Sequence, residues 1–234
     1  MSSVLLSRAA GAWLLCVSLA ACSAADVTQA SPAGSSPAPA VTATSDPAAG
    51  RGIPSAALLQ PQDLQGAEGE PLEQGELAYV RPLRPCGDDP YPSDDTRTDA
   101  IAFRFVIYPT AGTGAAPAVV TEFIGRHAPG GAAEQFDEVS TALKRCPGGL
   151  GKGERRWTVL DTGLAGDESV LVRIDQKVSY ADEEPSVVGH YAALARSADV
   201  IVTVTDLGWE NTGGSEKLVR DLLGKAVERS GAIS

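Results

Sequence analysis

The sequence predicts an α+β fold: an antiparallel sheet of about six strands, two or three helices packed on one face, and one disulfide. Beyond residue 100, several segments alternate apolar and polar side chains with a period of two, which is typical of half-buried strands. Two other segments repeat their apolar residues every three to four positions, as amphipathic helices do. Short turns between successive strand candidates favour antiparallel neighbours.

The first 21 residues have the pattern of a lipoprotein signal peptide. A single charge, Arg8, precedes an apolar run that is too short for a permanent membrane span. The run ends in small residues followed by Cys22, a pattern at which such peptides are alkylated on cysteine and then cleaved. We expect Cys22 to become the lipid-modified first residue. The alternative is ordinary secretory cleavage near Ala24 or Ala25, which would discard Cys22.

Residues 22–50 are expected to form a disordered spacer. They consist almost entirely of Ala, Ser, Pro, Thr and Gly, so they cannot bury enough apolar area to offset the entropy of ordering them. Two or three acyl chains on Cys22, palmitate among them, are enough for stable membrane anchoring. The sequence therefore predicts a domain tethered on the outer side of a bacterial cell membrane.

Residues 51–234 are long enough for one domain with a sizeable core. Removal of the signal peptide lowers the 19 Lys and Arg to 18, against 30 Asp and Glu, which is a net charge of −12. Such a surface repels nucleic acid and anionic lipid headgroups, so we expect neither as a partner.

The first part of the domain has weak periodicity. A short helix is predicted over residues 54–59, because Pro54 suits a first helical turn and two leucines follow. An acidic loop around Cys86 comes next. It lacks the spacing of a calcium-binding loop, so we interpret it as solvated and expect no metal.

Strands and helices are clearer in the second part. A helix is predicted from Ala132 to Leu143, where apolar residues recur every three to four positions, and a closing helix over residues 215–229. Six strands are predicted at residues 100–108, 118–126, 155–161, 169–178, 187–196 and 199–205.

Cys86 and Cys146 are the only pair of cysteines in the folded part. Two cysteines in an oxidising compartment most often join, and closing a loop of this length stabilises the fold by about 4 kcal/mol. A redox or metal pair is the alternative, but there is no CxxC spacing and no set of further ligands.

Short motifs in a definite order carry a family resemblance. They are Leu58, Leu59, Pro61, Asp63 and Leu64; Ala128, Pro129, Gly130 and Gly131; Leu143, Lys144, Arg145 and Cys146; and Gly166, Asp167 and Glu168. Their order resembles the PknH-like extracellular sensor domain of actinobacterial lipoproteins and receptor serine/threonine kinases. Over about residues 53–233, the resemblance implies an antiparallel sheet with helices on one side and a ligand cleft, without established catalysis. The kinase version is similar to a two-disulfide domain, whereas this chain can form one.

No catalytic constellation stands out. The chain has no G-x-S-x-G elbow, HExxH helix or phosphate loop, and we interpret His127 and His190 as structural. Thirty acidic residues always offer carboxylate pairs, but none is singled out. We expect no cofactor.

Four residues are candidates for contact with a ligand or partner. Trp209 lies in a loop before the last helix and either anchors a partner or packs over the sheet edge. Arg104, Arg173 and Arg196 could bind an anionic ligand if they share an open sheet face. Acidic neighbours that neutralise them are the alternative.

These observations favour a lipid-anchored, non-catalytic binding or sensor-like domain that engages a cell-wall component or another envelope protein. Two alternatives stay open. One is a regulatory lipoprotein that restrains a membrane sensor kinase, and the other is a small envelope hydrolase.

Overall fold

Seven strands pair into one antiparallel sheet in the computed structural model, which describes residues 52–150, 154–179, 184–210 and 212–234. The predicted signal peptide, Cys22 and spacer lie outside these residues. The strands are β1 (Gly69–Pro71), β2 (Arg97–Ile107), β3 (Ala118–His127), β4 (Arg155–Thr162), β5 (Glu168–Val178), β6 (Ser186–Ser197) and β7 (Val200–Asp206). Their spatial order is β1-β2-β3-β7-β6-β5-β4.

The sheet consists of two antiparallel meanders that meet at its centre. One contains β1 to β3 and the other β4 to β7. Pairing of β3 with β7 joins them, with Ile124 opposite Val202. The chain crosses from β3 to the far edge of the sheet through α1 (Gly131–Arg145), and α2 (Glu216–Ser230) follows β7.

The two α-helices lie on opposite faces of the sheet. Phe136 and Val139 of α1 share a core with Ile201, whereas Leu222 of α2 shares another with Val202. Neighbouring residues of a strand point to opposite faces, so the sheet separates two cores. The prediction that the helices pack on one face is therefore corrected.

The central strands explain why both faces need cover. Every residue of β7 is buried, and β5 buries Val170, Leu171 and Val172 at consecutive positions. A strand that is apolar on both faces requires a packed layer on each side. The α+β class, the antiparallel sheet and the single disulfide are confirmed.

The remaining differences from the predictions concern short elements. All six predicted strands are present, and the seventh, β1, is a Gly-Glu-Pro segment without strand periodicity. The predicted helix at residues 54–59 is a 3-10 turn, Ser55–Ala57. Gln60 is extended, because the ring of Pro61 disfavours a helical conformation at the preceding residue.

A long connection, residues 72–96, joins β1 to β2 and covers part of the α1 side. It places Val80 and Leu83 in the core beneath α1. The Cys86–Cys146 disulfide, with a Cα–Cα distance of 5.1 Å, ties this connection to the C-terminal end of α1.

The acidic loop of this connection is solvated only in part. Asp88 and Asp89 are exposed, as expected. Asp94 is largely buried and accepts hydrogen bonds from Arg84 at 2.6 Å and from Gln135 of α1 at 2.8 Å. Asp94 therefore links the loop to the helix. The prediction that the acidic loop is solvated is wrong for this residue.

Candidate functional site

An open groove lies on the α1 side of the sheet, where β2 ends and β3 begins. Its volume is about 570 Å³, within the range of small-ligand sites. We call it the aromatic groove. It is lined by Ala67, Glu68, Glu70, Arg104, Val106, Tyr108, Val119 and Trp209.

Two aromatic side chains form one wall of the aromatic groove. Tyr108 directly follows β2 and is 68% exposed, and Trp209 follows β7. Their ring centroids are 6.3 Å apart and the rings are tilted by 56°. This geometry leaves much of the tyrosine side chain free to contact another molecule, because the two rings are not stacked face to face.

Asp206 holds the loop that carries Trp209. Its buried carboxylate accepts hydrogen bonds from the backbone N–H of Gly208 at 2.9 Å and of Ser215 at 2.7 Å. Burial raises the pKa of Asp206 above its ordinary value, although these hydrogen bonds oppose the shift. The backbone N–H of Leu207 donates to the Val119 carbonyl at 2.9 Å, so the loop is also tied to β3.

The backbone beside Trp209 is specified by Gly208 and Thr212. Gly208 has a φ of 65°, and a Cβ there would lie 2.0 Å from the Thr212 carbonyl oxygen, so only glycine fits. The Thr212 hydroxyl accepts from the Trp209 N–H at 3.0 Å and donates to the Trp209 carbonyl at 2.7 Å. These contacts fix the backbone that carries the indole.

Arg104 lines the aromatic groove and is paired there with two glutamates. Its guanidinium donates to Glu70 at 3.0 Å and to Glu76 at 3.2 Å. The Glu68 side chain forms no hydrogen bond or ion pair with any residue that the structure describes. The aromatic groove therefore contains one carboxylate that is free to meet a ligand.

The close approach of the β1 backbone to β2 brings the carboxylates of Glu68 and Glu70 to the aromatic groove. Gly69 lies against Phe103 and Phe105 on the opposite face, and a Cβ at this position would be 2.5 Å from the Phe105 ring. Since side chains alternate along a strand, Glu68 and Glu70 then project to the groove side.

The other predicted arginines lie elsewhere and are also paired. Arg173 is on the α2 side and donates to Asp175 at 2.7 Å. Burial raises the pKa of Asp175, but hydrogen bonds from Arg156 and Arg173 outweigh it and lower the pKa below its ordinary value. Arg196 is on the α1 side, towards the start of β7, and contacts Asp167 at 2.9 Å.

Of the four predicted contact residues, the structure brings together only Arg104 and Trp209. Glu68, Glu70 and Tyr108 were not among the predicted contact residues. For Tyr108 a signal was present, because a large aromatic residue ends the predicted alternating strand and precedes a proline. For the two glutamates, the sequence contained no strand pattern.

A second, more apolar groove lies between α1 and the edge of the sheet. It has a volume of about 330 Å³ and is lined by Phe136, Leu143, Val159 and Val170, with polar residues at its rim. Val159 of edge strand β4 is 47% exposed there. We call it the edge groove.

Both histidines are buried side chains of the sheet. Burial lowers the pKa of His127, whose Nδ1 lies 2.9 Å from the Thr96 hydroxyl. Burial and the positive charge of Arg155 lower the pKa of His190. Within the described ranges, no group of three or more His, Cys, Asp and Glu side chains has the arrangement of a metal site.

The part of the chain that the structure describes contains no helix long and apolar enough to cross a membrane. Comparison of the chain with protein-family models, with curated proteins and with solved structures finds no match. The PknH-like resemblance accordingly stays a prediction.

Proposed function

We propose that this protein is a lipid-anchored, non-catalytic binding domain of the bacterial cell surface, and that it engages a cell-wall component through the aromatic groove. The observation that carries the proposal is the pair of Tyr108 and Trp209 in an open groove, with Trp209 on a hydrogen-bonded loop. Large, rigid aromatic side chains provide contact area with little loss of conformational entropy, which suits them to recognition.

The chemistry of the aromatic groove fits binding better than catalysis. Among its described lining residues, the ionisable groups are Glu68, Glu70, Arg104 and Tyr108, and no nucleophile is paired with a base. An apolar wall with a few polar groups is instead the usual composition of a ligand site.

The predicted address favours a cell-wall ligand. A lipid on Cys22 and a spacer of residues 23–50 would hold the domain just outside the membrane, where peptidoglycan is the abundant polymer. Its sugar rings and peptide stems offer both apolar faces and hydrogen-bonding groups, which match an aromatic wall with a polar rim.

Co-sedimentation with insoluble peptidoglycan from the native host tests this proposal. We expect the full-length protein to pellet with the polymer and the Y108A/W209A double variant to stay in the supernatant, because most of the apolar contact area is lost. V159A, which trims the edge groove instead, should pellet like the wild type. Binding that survives Y108A/W209A but is lost in V159A would place recognition in the edge groove and contradict the proposal.

Substitution of the predicted acylation site tests the anchor separately. We expect C22A to abolish acylation, so that the domain no longer partitions into detergent with the membrane fraction. Mass spectrometry of the wild type should find a diacylglyceryl-modified Cys22 at the N-terminus. An unmodified N-terminus downstream of residue 22 would contradict the anchor.

A further inference from the structure

We infer that the aromatic groove selects a ligand carrying a protonated primary amine, seated against Tyr108 and Trp209 and facing Glu68. The inference rests on the proposed function and narrows its ligand to the peptide stems of peptidoglycan, whose diamino-acid side chains carry such amines. Three features of the aromatic groove support it: its charge, its unpaired carboxylate and its π-surface.

The first feature is an excess of negative charge. Two carboxylates, Glu68 and Glu70, and one guanidinium, Arg104, line the aromatic groove. These three charged side chains leave a net charge of −1. An anionic ligand would meet repulsion here, whereas a cation is attracted.

The second feature is the difference between the carboxylates. Glu70 and Glu76 already share Arg104, at 3.0 and 3.2 Å. Glu68 has no such partner among the described residues and lies beside the same groove. An incoming ammonium can therefore pair with Glu68 without breaking an existing ion pair.

The third feature is the aromatic wall. A cation within about 6 Å of a Trp or Tyr ring face is attracted by the ring quadrupole. Tyr108 and Trp209 both line the aromatic groove, with their rings tilted by 56°, and the Asp206 and Thr212 hydrogen bonds hold the backbone of the Trp209 loop in place. The attraction requires little rearrangement of the backbone.

Acetylation of the amines on peptidoglycan is the direct test. We expect the full-length protein to bind N-acetylated polymer at least about tenfold more weakly than untreated polymer, because the modification removes the charge from the ligand and leaves its sugars unchanged. Raising the salt concentration should weaken binding to untreated polymer, and it should not weaken the residual binding to acetylated polymer.

Substitution of the free carboxylate provides a second arm. We expect E68Q to bind untreated polymer about fivefold more weakly than the wild type does. The ratio between its affinities for untreated and for acetylated polymer should also be smaller than that of the wild type. The matched control is E228Q, which removes an exposed glutamate on α2, on the opposite face. E228Q should retain both the affinity and the preference.

A small probe distinguishes failure of the inference from failure of the proposed function. Nα-acetyl-lysine methylamide should shift the Trp209 indole resonance in NMR spectra of the full-length protein, and the Nε-acetylated analogue should not. Shifts without peptidoglycan binding would support the amine site and overturn the proposed ligand. Equal, Trp209-dependent binding of both polymers would support the proposed function and overturn the inference. Absence of binding in every arm would overturn both.

Discussion

Replacement of Glu122 by glutamine is expected to abolish most of the decrease in folding stability that the wild type shows between pH 6.5 and pH 9. The expected decrease for the wild type is about 2 kcal/mol in the free energy of unfolding. The expectation follows from the position of one carboxyl group inside the core on the α2 side.

Glu122 belongs to β3 and is completely buried. One carboxyl oxygen accepts a hydrogen bond from the Leu59 N–H at 2.7 Å, and the other has no hydrogen-bond partner among the described residues. Burial raises the pKa of Glu122 to about 8, against the opposing effects of the Leu59 hydrogen bond and of Arg229. The neutral acid is thus the form that the fold accommodates at pH 7.

The sign of the effect follows from proton uptake. The unfolded chain loses the Glu122 proton near its ordinary pKa of 4.5, whereas the folded protein keeps it up to about pH 8. Between these values the folded state binds more protons, so each rise in pH favours unfolding. Above pH 8 both states are ionised and the decrease ends.

Urea denaturation at several pH values measures this dependence. The wild type should become less stable from pH 6.5 to pH 8 and then level off, and E122Q, which keeps an acceptor for Leu59 but no acid, should change little. E228Q should follow the wild type, since that glutamate is exposed. Parallel curves for the wild type and E122Q would show that Glu122 is not the responsible group.

Removal of the disulfide in the C86S/C146S double variant is expected to lower the free energy of unfolding by about 4 kcal/mol and the melting temperature by about 10 °C. The bond closes a loop with a sequence separation of 60 residues. Cutting it restores the entropy of that loop to the unfolded chain, which shifts the equilibrium towards unfolding.

The position of the bond adds a local consequence. Cys86 lies in the connection between β1 and β2, and Cys146 directly follows α1, so the bond ties a segment with little regular structure to the end of a helix. Without it, the connection still contacts the α1 side through Val80 and Leu83 in the core and through hydrogen bonds of Asp94 with Gln135 and of Ser93 with Glu138. Residues 72–96 should then exchange amide hydrogens faster than α2 does.

Thermal unfolding and hydrogen exchange check both expectations. The wild type in a reducing agent strong enough to open the bond should reproduce the double variant, which separates loss of the bond from effects of the new side chains. A loss of stability below about 1 kcal/mol would mean that the unfolded chain is already restricted without the bond.

Side-chain periodicity was sufficient to predict the six long strands and both α-helices. Their boundaries differ from the prediction by at most three residues, because alternation and the three-to-four repeat are local properties that burial imposes on each segment. The disulfide was predictable for a related reason, since only two cysteines remained to pair in the folded part.

Strand β1 and the short turns near the start of the domain could not be predicted in this way. The Gly-Glu-Pro segment of β1 is a strand through its antiparallel pairing with residues 103–105 of β2. This pairing joins residues that are far apart in the chain. The three-residue segment is too short to show the alternation that would predict it.

Individual candidate residues could thus be chosen from the sequence. Which of them lie close together in space depends on the pairing of β3 with β7. That pairing joins the two meanders, places the helices on opposite faces, and brings Trp209 beside Tyr108 and Arg104 while leaving Arg173 and Arg196 apart. Periodicity records whether a residue is buried, but it carries no information about which distant strand lies next to it. The aromatic groove exists only through that long-range choice of neighbours.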